Sequence, residues 1–418
     1  MSSAPVPQPE AGPVWDIAVV GAGPAGSAAA LAALQRWPQA RVLLLDRAAF
    51  PRDKTCGDGV AAQVVDILDR LGVGDLLDDW PRVNRLRLGF PEGIGVARRL
   101  RRPTIVIPRA VFDARLVDAA VRRGAVLRQH RVRRLTRATT GSGDPVLELD
   151  GQLRARVVIG ADGAHSAVRT GLGLPGPRPD RTAIALRGYA PVSAGREREQ
   201  VIAFAGHTAW PAYAWSFPIG DGRANVGYGE ALPARGPGPG RARMLDRLAA
   251  LLPGAEIGGA DWKAHHLPLS TGRVRQPDGP VLLAGDALGL INPLTGEGIH
   301  AAVRSGAIAG LAAAQQVHRG SPDRAAAVYR AGLHAALGRH LRHMAAVARM
   351  TGDVRVVSAG LQVAAEDQRI FDDFVDLGLA DGALTGRMVL ALARRGGVAG
   401  VAETLRGTVG GRTPARNG

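Results

Sequence analysis

Residues 50–59 read FPRDKTCGDG and gather unusual chemistry into one short loop. Cys56 is the only cysteine in a chain of 418 residues. Lys54 is one of only two lysines, the other being Lys263. Asp53, Asp58, Gly57 and Gly59 complete the loop. A thiol in such a loop could act as an acid, a polarisable wall or a redox partner, depending on its pKa and exposure. It could equally be a small inert side chain, as buried free cysteines often are. Lys54 reads as a surface residue paired with Asp53 or Asp58. His265 and His266, in WKAHHLPLS, lack a carboxylate at useful spacing and read as structural or exposed. No cluster has metal-ligand spacing.

The elements that must position this loop begin just before it. WDIAVVGAGPAGSAAALAALQRWPQARVLLLDR holds two short apolar runs, IAVV (17–20) and RVLLL (41–45), that read as buried parallel strands. Between them lie Gly21, Gly23 and Gly26 in GxGxxG spacing, and a helix of small residues that should end before Pro38. In such a unit Gly21 makes the turn, Gly23 lets backbone approach a pyrophosphate, and Gly26 lets helix and strand pack closely. The helix N-terminus, including Ala25, offers free N–H groups to phosphate. Asp46 stands twenty residues past Gly26, where an acid can accept hydrogen bonds from a ribose; Arg47 follows it. This fingerprint does not choose between FAD and NAD.

Three later segments bear on that choice. IPRAVFDARLVDAAVRRGA (107–125) places Arg109 before an amphipathic helix. VVIGADGAHSAVR (157–169) runs from a buried strand into Asp162-Gly163. VLLAGDALGLINPLTGEGIHAAVRSG (281–306) runs from a strand through Asp286 to a glycine-rich helix start at Gly296 and Gly298. Further on, PAYAWSFPIGDGRANVGYG (211–229) reads as a hairpin. Its Tyr213, Trp215 and Phe217 alternate and so share one face of a strand. In a chain with only 4% aromatics that is a concentrated apolar wall, or else an ordinary sheet core.

This set resembles the flavoprotein superfamily of para-hydroxybenzoate hydroxylase, and within it the geranylgeranyl reductase family. That family includes prenyl reductases of the chlorophyll, archaeal-lipid and menaquinone pathways. The resemblance spans about residues 15 to 310. It implies an FAD cofactor, with Asp46 on the adenosine ribose, Arg109 on the flavin side and Asp286 on the ribityl chain. Gly298 and Ile299 would face the flavin pyrimidine edge, where a helix N-terminus favours the negative charge of reduced flavin. Val132, in the strand LRQHRVRRL, would touch the adenine. Gly57 and Gly59 would let the loop approach the flavin, with Cys56 near the ring as the candidate catalytic residue. Tyr213, Trp215 and Phe217 would line a substrate cavity.

The implied fold is α/β: a Rossmann-like FAD-binding domain (14–80, 101–175 and 276–320), a second antiparallel-sheet substrate domain (81–100 and 176–275), and a helical C-terminal region (321–418). Residues 1–13, rich in Pro, read as a disordered leader. The expected activity is reduction of C=C bonds in a prenyl chain, on a lipid or a prenyl diphosphate. NAD(P)H or a reduced electron-transfer protein would supply the electrons. A flavin monooxygenase or halogenase of a small natural product is the alternative. Halogenases of this fold carry a W-x-W-x-I-P element and a catalytic lysine, whereas this chain has Tyr213 and Phe217 at the outer positions. A non-catalytic prenyl carrier is a third reading, which intact Asp46, Arg109 and Asp286 oppose.

Composition sets the outer limits. All but two of the 53 basic residues are arginine, and the formal charge is +16. No basic run is interleaved with aromatics, so nucleic acid is not an expected partner. An anionic membrane face or a diphosphate remains open. No apolar run reaches the roughly 18 residues a membrane span needs. One cysteine allows no intrachain disulfide, which fits a reducing cytoplasm; the expected location is cytoplasmic, with peripheral membrane contact left open by the basic charge.

Overall fold

A computed structural model describes residues 13–91, 93–206, 212–255, 258 and 261–395. The expected leader, apart from Pro13, and the chain after residue 395 lie outside the described residues.

Two sheets carry the fold. The first contains β1 (Val14–Val20), β2 (Val42–Asp46), β6 (Val126–Gln129), β7 (Leu135–Thr139), β8 (Pro145–Leu149), β9 (Leu153–Gly160) and β15 (Val281–Leu283). Its order is β6-β2-β1-β9-β8-β7, with β15 also on β9. β6, β2, β1, β9 and β15 run parallel, and β7 to β9 are antiparallel. The IAVV and VLLL runs are almost completely shielded, because helices cover the parallel part.

The second sheet contains β3 (Gly59–Val60), β4 (Arg82–Gly89), β5 (Gly95–Val106), β10 (Thr182–Pro191), β11 (Glu199–Phe204), β12 (Ala212–Pro218), β13 (Arg223–Ala231) and β14 (Lys263–Pro268). Its order is β14-β10-β13-β12-β11-β4-β5-β3. All neighbours are antiparallel except β4 and β11, which are parallel. The boundary expected at residue 101 falls inside β5, all of which belongs to this sheet. β3, inside the segment assigned to the FAD-binding domain, belongs here too. Strand pairing, not the position of the next helix, decides where the units meet.

The helices are α1 (Pro24–Arg36), α2 (Ala62–Arg70), α3 (Arg109–Arg122), α4 (Ala167–Gly171), α5 (Arg241–Leu251), α6 (Ile299–His318), α7 (Ala325–Met350), α8 (Val354–Glu366), α9 (Gln368–Leu379) and α10 (Gly386–Arg394). α1 and α6 lie unusually close. A Cβ on Gly306 would sit 2.0 Å from the Ala25 carbonyl oxygen, and one on Gly310 would sit 2.0 Å from that of Ala29. Small residues four apart on both helices permit this approach. Both N-termini line the same cavity.

α8 and α9 cover the second sheet. Leu361, Ala364 and Phe371 pack on Leu86, Val96 and Leu100. The end of α9 is tied to the loop before α6: Asn292 donates to the Leu377 and Gly378 carbonyls, and Thr295 to that of Gly378. The described part of the C-terminal region therefore acts as a domain cover. Of its last expected amphipathic segment, residues beyond 395 lie outside the described residues.

Candidate active site

A cavity of about 850 Å³ lies between the two sheets. Cofactor and ligand pockets span roughly 300–1,000 Å³. Every residue expected to act in catalysis, cofactor binding or substrate binding lines it except Gly26. Gly26 instead packs under the turn, where a Cβ would meet the Gly21 carbonyl oxygen at 1.8 Å. Gly21 has φ +97°, and a Cβ there would strike the Ala161 backbone at 2.3 Å. Only glycine satisfies either position.

At one end of the cavity the α1 N-terminus opens beside Gly23, with no side chain capping it. Asp46 is buried at the end of β2, accepting from the Ala22 and Ala48 backbone N–H groups at 2.9 and 3.0 Å. Arg47 follows it on the cavity rim. Val132 lines the same end, but β6 stops at Gln129, so Val132 lies in the coil after the strand rather than within it. Arg109 is the first residue of α3, and Asp113, one turn on, holds it through two hydrogen bonds of 2.6 and 2.8 Å. Burial works against the Arg109 charge, but Asp113 outweighs burial and keeps the guanidinium firmly protonated.

Also on the cavity lining, Asp286 faces Lys54 at 3.1 Å. This corrects the expected pairing of Lys54: its partner is neither Asp53 nor Asp58. Asp53 instead binds Arg187 and Lys263. Burial would raise the Asp286 carboxyl, yet Lys54 overcomes this and holds it below the ordinary range. His265 also lines the cavity, contrary to the reading of it as structural or exposed. Burial, with Lys54 adding to it, lowers its pKa to about 4, so the ring is neutral.

Gly296, Gly298 and Ile299 form the wall at the start of α6. The N-terminus of α6 is not wholly free: Glu297 accepts from the His300 backbone N–H at 2.7 Å. Burial raises the Glu297 carboxyl to about 8, so it is an uncharged acid at neutral pH.

The cysteine loop crosses from this wall to the aromatic strand β12. Tyr213, Trp215 and Phe217 share one face, with ring centroids 5.9 and 6.5 Å apart. A Cβ on Gly57 would lie 3.4 Å from the Phe217 ring and 3.6 Å from Trp215 Nε1. Glycine at 57 thus lets the loop lie on the aromatic wall. Trp215 in turn lies over Gly227, whose Cβ would overlap the indole at 2.2 Å. Burial pushes the Cys56 thiol up, against the pull of Arg109, so it is a protonated thiol rather than a thiolate. Tyr213 donates to the Thr295 carbonyl.

Sequence reasoning missed several residues here. Arg187 is 1% exposed and donates to the carbonyls of Lys54 and Cys56. Asp58 is fully buried with φ +61° and accepts from Tyr189 and Asn225. Burial raises its carboxyl to about 6. A buried Trp needs a partner for its N–H. In the hairpin register Asn225 pairs with Phe217, diagonal to Trp215, so that need could have pointed to it.

The residues present fit FAD. The glycine turn leaves a backbone cradle, an uncapped helix end faces it, and two acids, Asp46 and Asp286, line the same cavity. Among the described residues no group of His, Cys, Asp and Glu is arranged to hold a metal.

Comparison with known proteins agrees. Residues 15–212 match the FAD binding domain family. Menaquinone reductase of Mycolicibacterium smegmatis is 34% identical over 314 residues, covering 70% of this chain and 75% of that protein.

The chain belongs to the geranylgeranyl reductase family.

It is accordingly an FAD-dependent oxidoreductase. Within the family, digeranylgeranylglycerophospholipid reductase 2 of Methanopyrus kandleri is 33% identical, covering 72% of this chain and 78% of that one. A geranylgeranyl bacteriochlorophyll reductase-like protein of Thermoplasma acidophilum shares the fold, with a TM-score of 0.76 at 20% identity over 95% of this chain and 98% of that one.

Proposed function

We propose that this family member reduces C=C bonds of a prenyl chain carried by a lipid or a prenyl diphosphate. One observation carries the reading: a dinucleotide cradle and an aromatic wall belong to one cavity, and the cysteine loop lies against that wall. FAD, when bound and reduced by its electron donor, would supply a hydride to one alkene carbon. The Gly21–Gly26 turn and α1 would hold the diphosphate, Asp46 the ribose, Asp286 the ribityl chain, and Gly296, Gly298 and Ile299 the ring edge. Arg109, kept charged by Asp113, would stand on the flavin side, and because its guanidinium lies beside Gly23 it would also offset phosphate charge. Val132 would close over the adenine. Cys56, a thiol rather than a thiolate, can release a proton to the second carbon from beside the wall. Tyr213, Trp215 and Phe217 would exclude water and bury the chain, each CH₂ contributing about 0.8 kcal/mol.

The proposed electron donor is NAD(P)H or a reduced electron-transfer protein; anaerobic reduction by each in turn distinguishes them. No helix among the described residues is long and apolar enough to cross a membrane. With a charge of +16, we place the enzyme in the cytoplasm at an anionic membrane surface. Cosedimentation with anionic vesicles, absent with neutral ones, tests that placement.

The deciding experiment is anaerobic. The flavin is reduced chemically, and a menaquinone or geranylgeranyl diphosphate is added. Flavin reoxidation with a product heavier by two hydrogens per step supports prenyl reduction. A flavin that stays reduced across a panel of prenyl lipids, and reacts only when oxygen is admitted, points to oxygenation or halogenation instead.

A further inference from the structure

One carboxamide joins the cysteine loop to the aromatic wall. Asn225 of β13 is fully buried. Its Nδ2 donates to the Cys56 carbonyl at 2.8 Å and to Asp58 Oδ2 at 2.7 Å. Its Oδ1 accepts from Trp215 Nε1 at 2.8 Å. A primary amide has two N–H donors and one carbonyl, and here both donors and the carbonyl are engaged. No other uncharged side chain of that length donates twice and accepts once.

The surroundings leave little slack. Asp58 is held in the left-handed region at φ +61°, and Tyr189 also donates to its carboxylate. Arg187 grips the loop from the other side, through the Lys54 and Cys56 carbonyls. Gly57 lies directly against Trp215 and Phe217. The position of the thiol relative to the wall therefore depends on the group that bonds both.

We propose that Asn225 is a positioning residue for the reaction: it sets the Cys56 backbone and the Trp215 indole in one frame, so that an acid and the substrate wall keep a fixed separation. The consequence for turnover rests on the prenyl-reductase reading, but the geometry does not. The competing role is purely structural, with Asn225 serving only to satisfy buried Asp58.

Because Cys56 is the only cysteine, a thiol reagent reports on it alone. The rate of modification by N-ethylmaleimide is measured on the FAD-loaded enzyme, for wild type and two variants. Asn225→Ser is too short to reach Cys56. The exchange Asp58→Asn with Asn225→Asp re-forms a donor–acceptor pair between 58 and 225 and keeps an acceptor for Trp215. It leaves the Cys56 carbonyl without its amide donor. Both variants should react about tenfold faster than wild type, the factor expected from losing one such hydrogen bond. Both should lower kcat more than they change KM. If the exchange restores the wild-type rate, Asn225 acts only through Asp58 and the proposal fails. Unchanged rates in both variants would also overturn it. Should Asn225→Ser fail to fold, the exchange decides alone; should the exchange fail, Asp58→Ala replaces it, reacting near the wild-type rate if Asn225 acts through Cys56 and faster than wild type if it acts only through Asp58. The modification rate needs no substrate, so an error in the substrate class would leave it intact.

Discussion

Cys56 is the residue on which the proposed chemistry turns, because its loop meets both the cavity and the aromatic wall. As a thiol held protonated by burial it suits proton donation and not nucleophilic attack. Cys56→Ala should retain FAD while lowering turnover or redirecting it to other products, read by flavin absorbance and product mass. Unchanged kinetics would leave Cys56 as a packing residue. Glu297 makes a separate prediction. Its carboxyl moves from an ordinary 4.5 to about 8, so between those values the native state holds a proton that the unfolded chain has released. On this group's account stability falls as pH rises through that window. Glu297→Gln, which can still accept from the His300 N–H, should gain stability relative to wild type as pH rises from 4.5 to 8. Urea denaturation across that range would show the two diverging; parallel curves would contradict the assignment.

Among the elements, the α1–α6 contact is the one on which the cavity depends. It brings two helix N-termini to the lining of one cavity, and it exists because Gly306 and Gly310 have no Cβ to meet Ala25 and Ala29. Gly306→Ala puts a methyl 2.0 Å from a backbone oxygen, which no rotamer can relieve. We expect a loss of about 1–3 kcal/mol from overpacking, even though alanine favours helix. A denaturant midpoint measures it, and a stabilised variant would mean that the helices separate freely. The hairpin of β12 and β13 has a comparable dependence, since Trp215 rests on Gly227.

Across the whole molecule, the cavity is a joint product of distant segments. Lys54 and Asp286 lie 232 residues apart and meet at 3.1 Å. Asp286→Ala should abolish or strongly reduce bound FAD, measured as the ratio of flavin to protein after purification. Full flavin content in a folded variant would undo the assignment of the ribityl site. The C-terminal helices close the structure over the second sheet, with Leu379 reaching the cavity wall.

Local patterns sufficed where the chemistry is local. The GxGxxG turn, the acid after β2 and the alternating aromatics each depend on backbone geometry over a few residues, so their spacing announces them. The hairpin at 212–231 follows for the same reason. What the sequence could not reveal depends on which remote groups share a low-dielectric space. The partner of Lys54, the neutral state of Glu297 and the placement of His265 in the cavity are of that kind. So are the continuation of β5 past residue 100 in the second sheet and the three-way bond of Asn225. Each is set by burial and by strand register across more than a hundred residues or across a hairpin, and only the packed chain decides which polar groups lose water together. From its own order of residues this protein determines a flavin cradle and an aromatic strand. Tertiary packing alone decides that a cysteine loop lies against that strand, because only there can Gly57 touch it and Asn225 bond both.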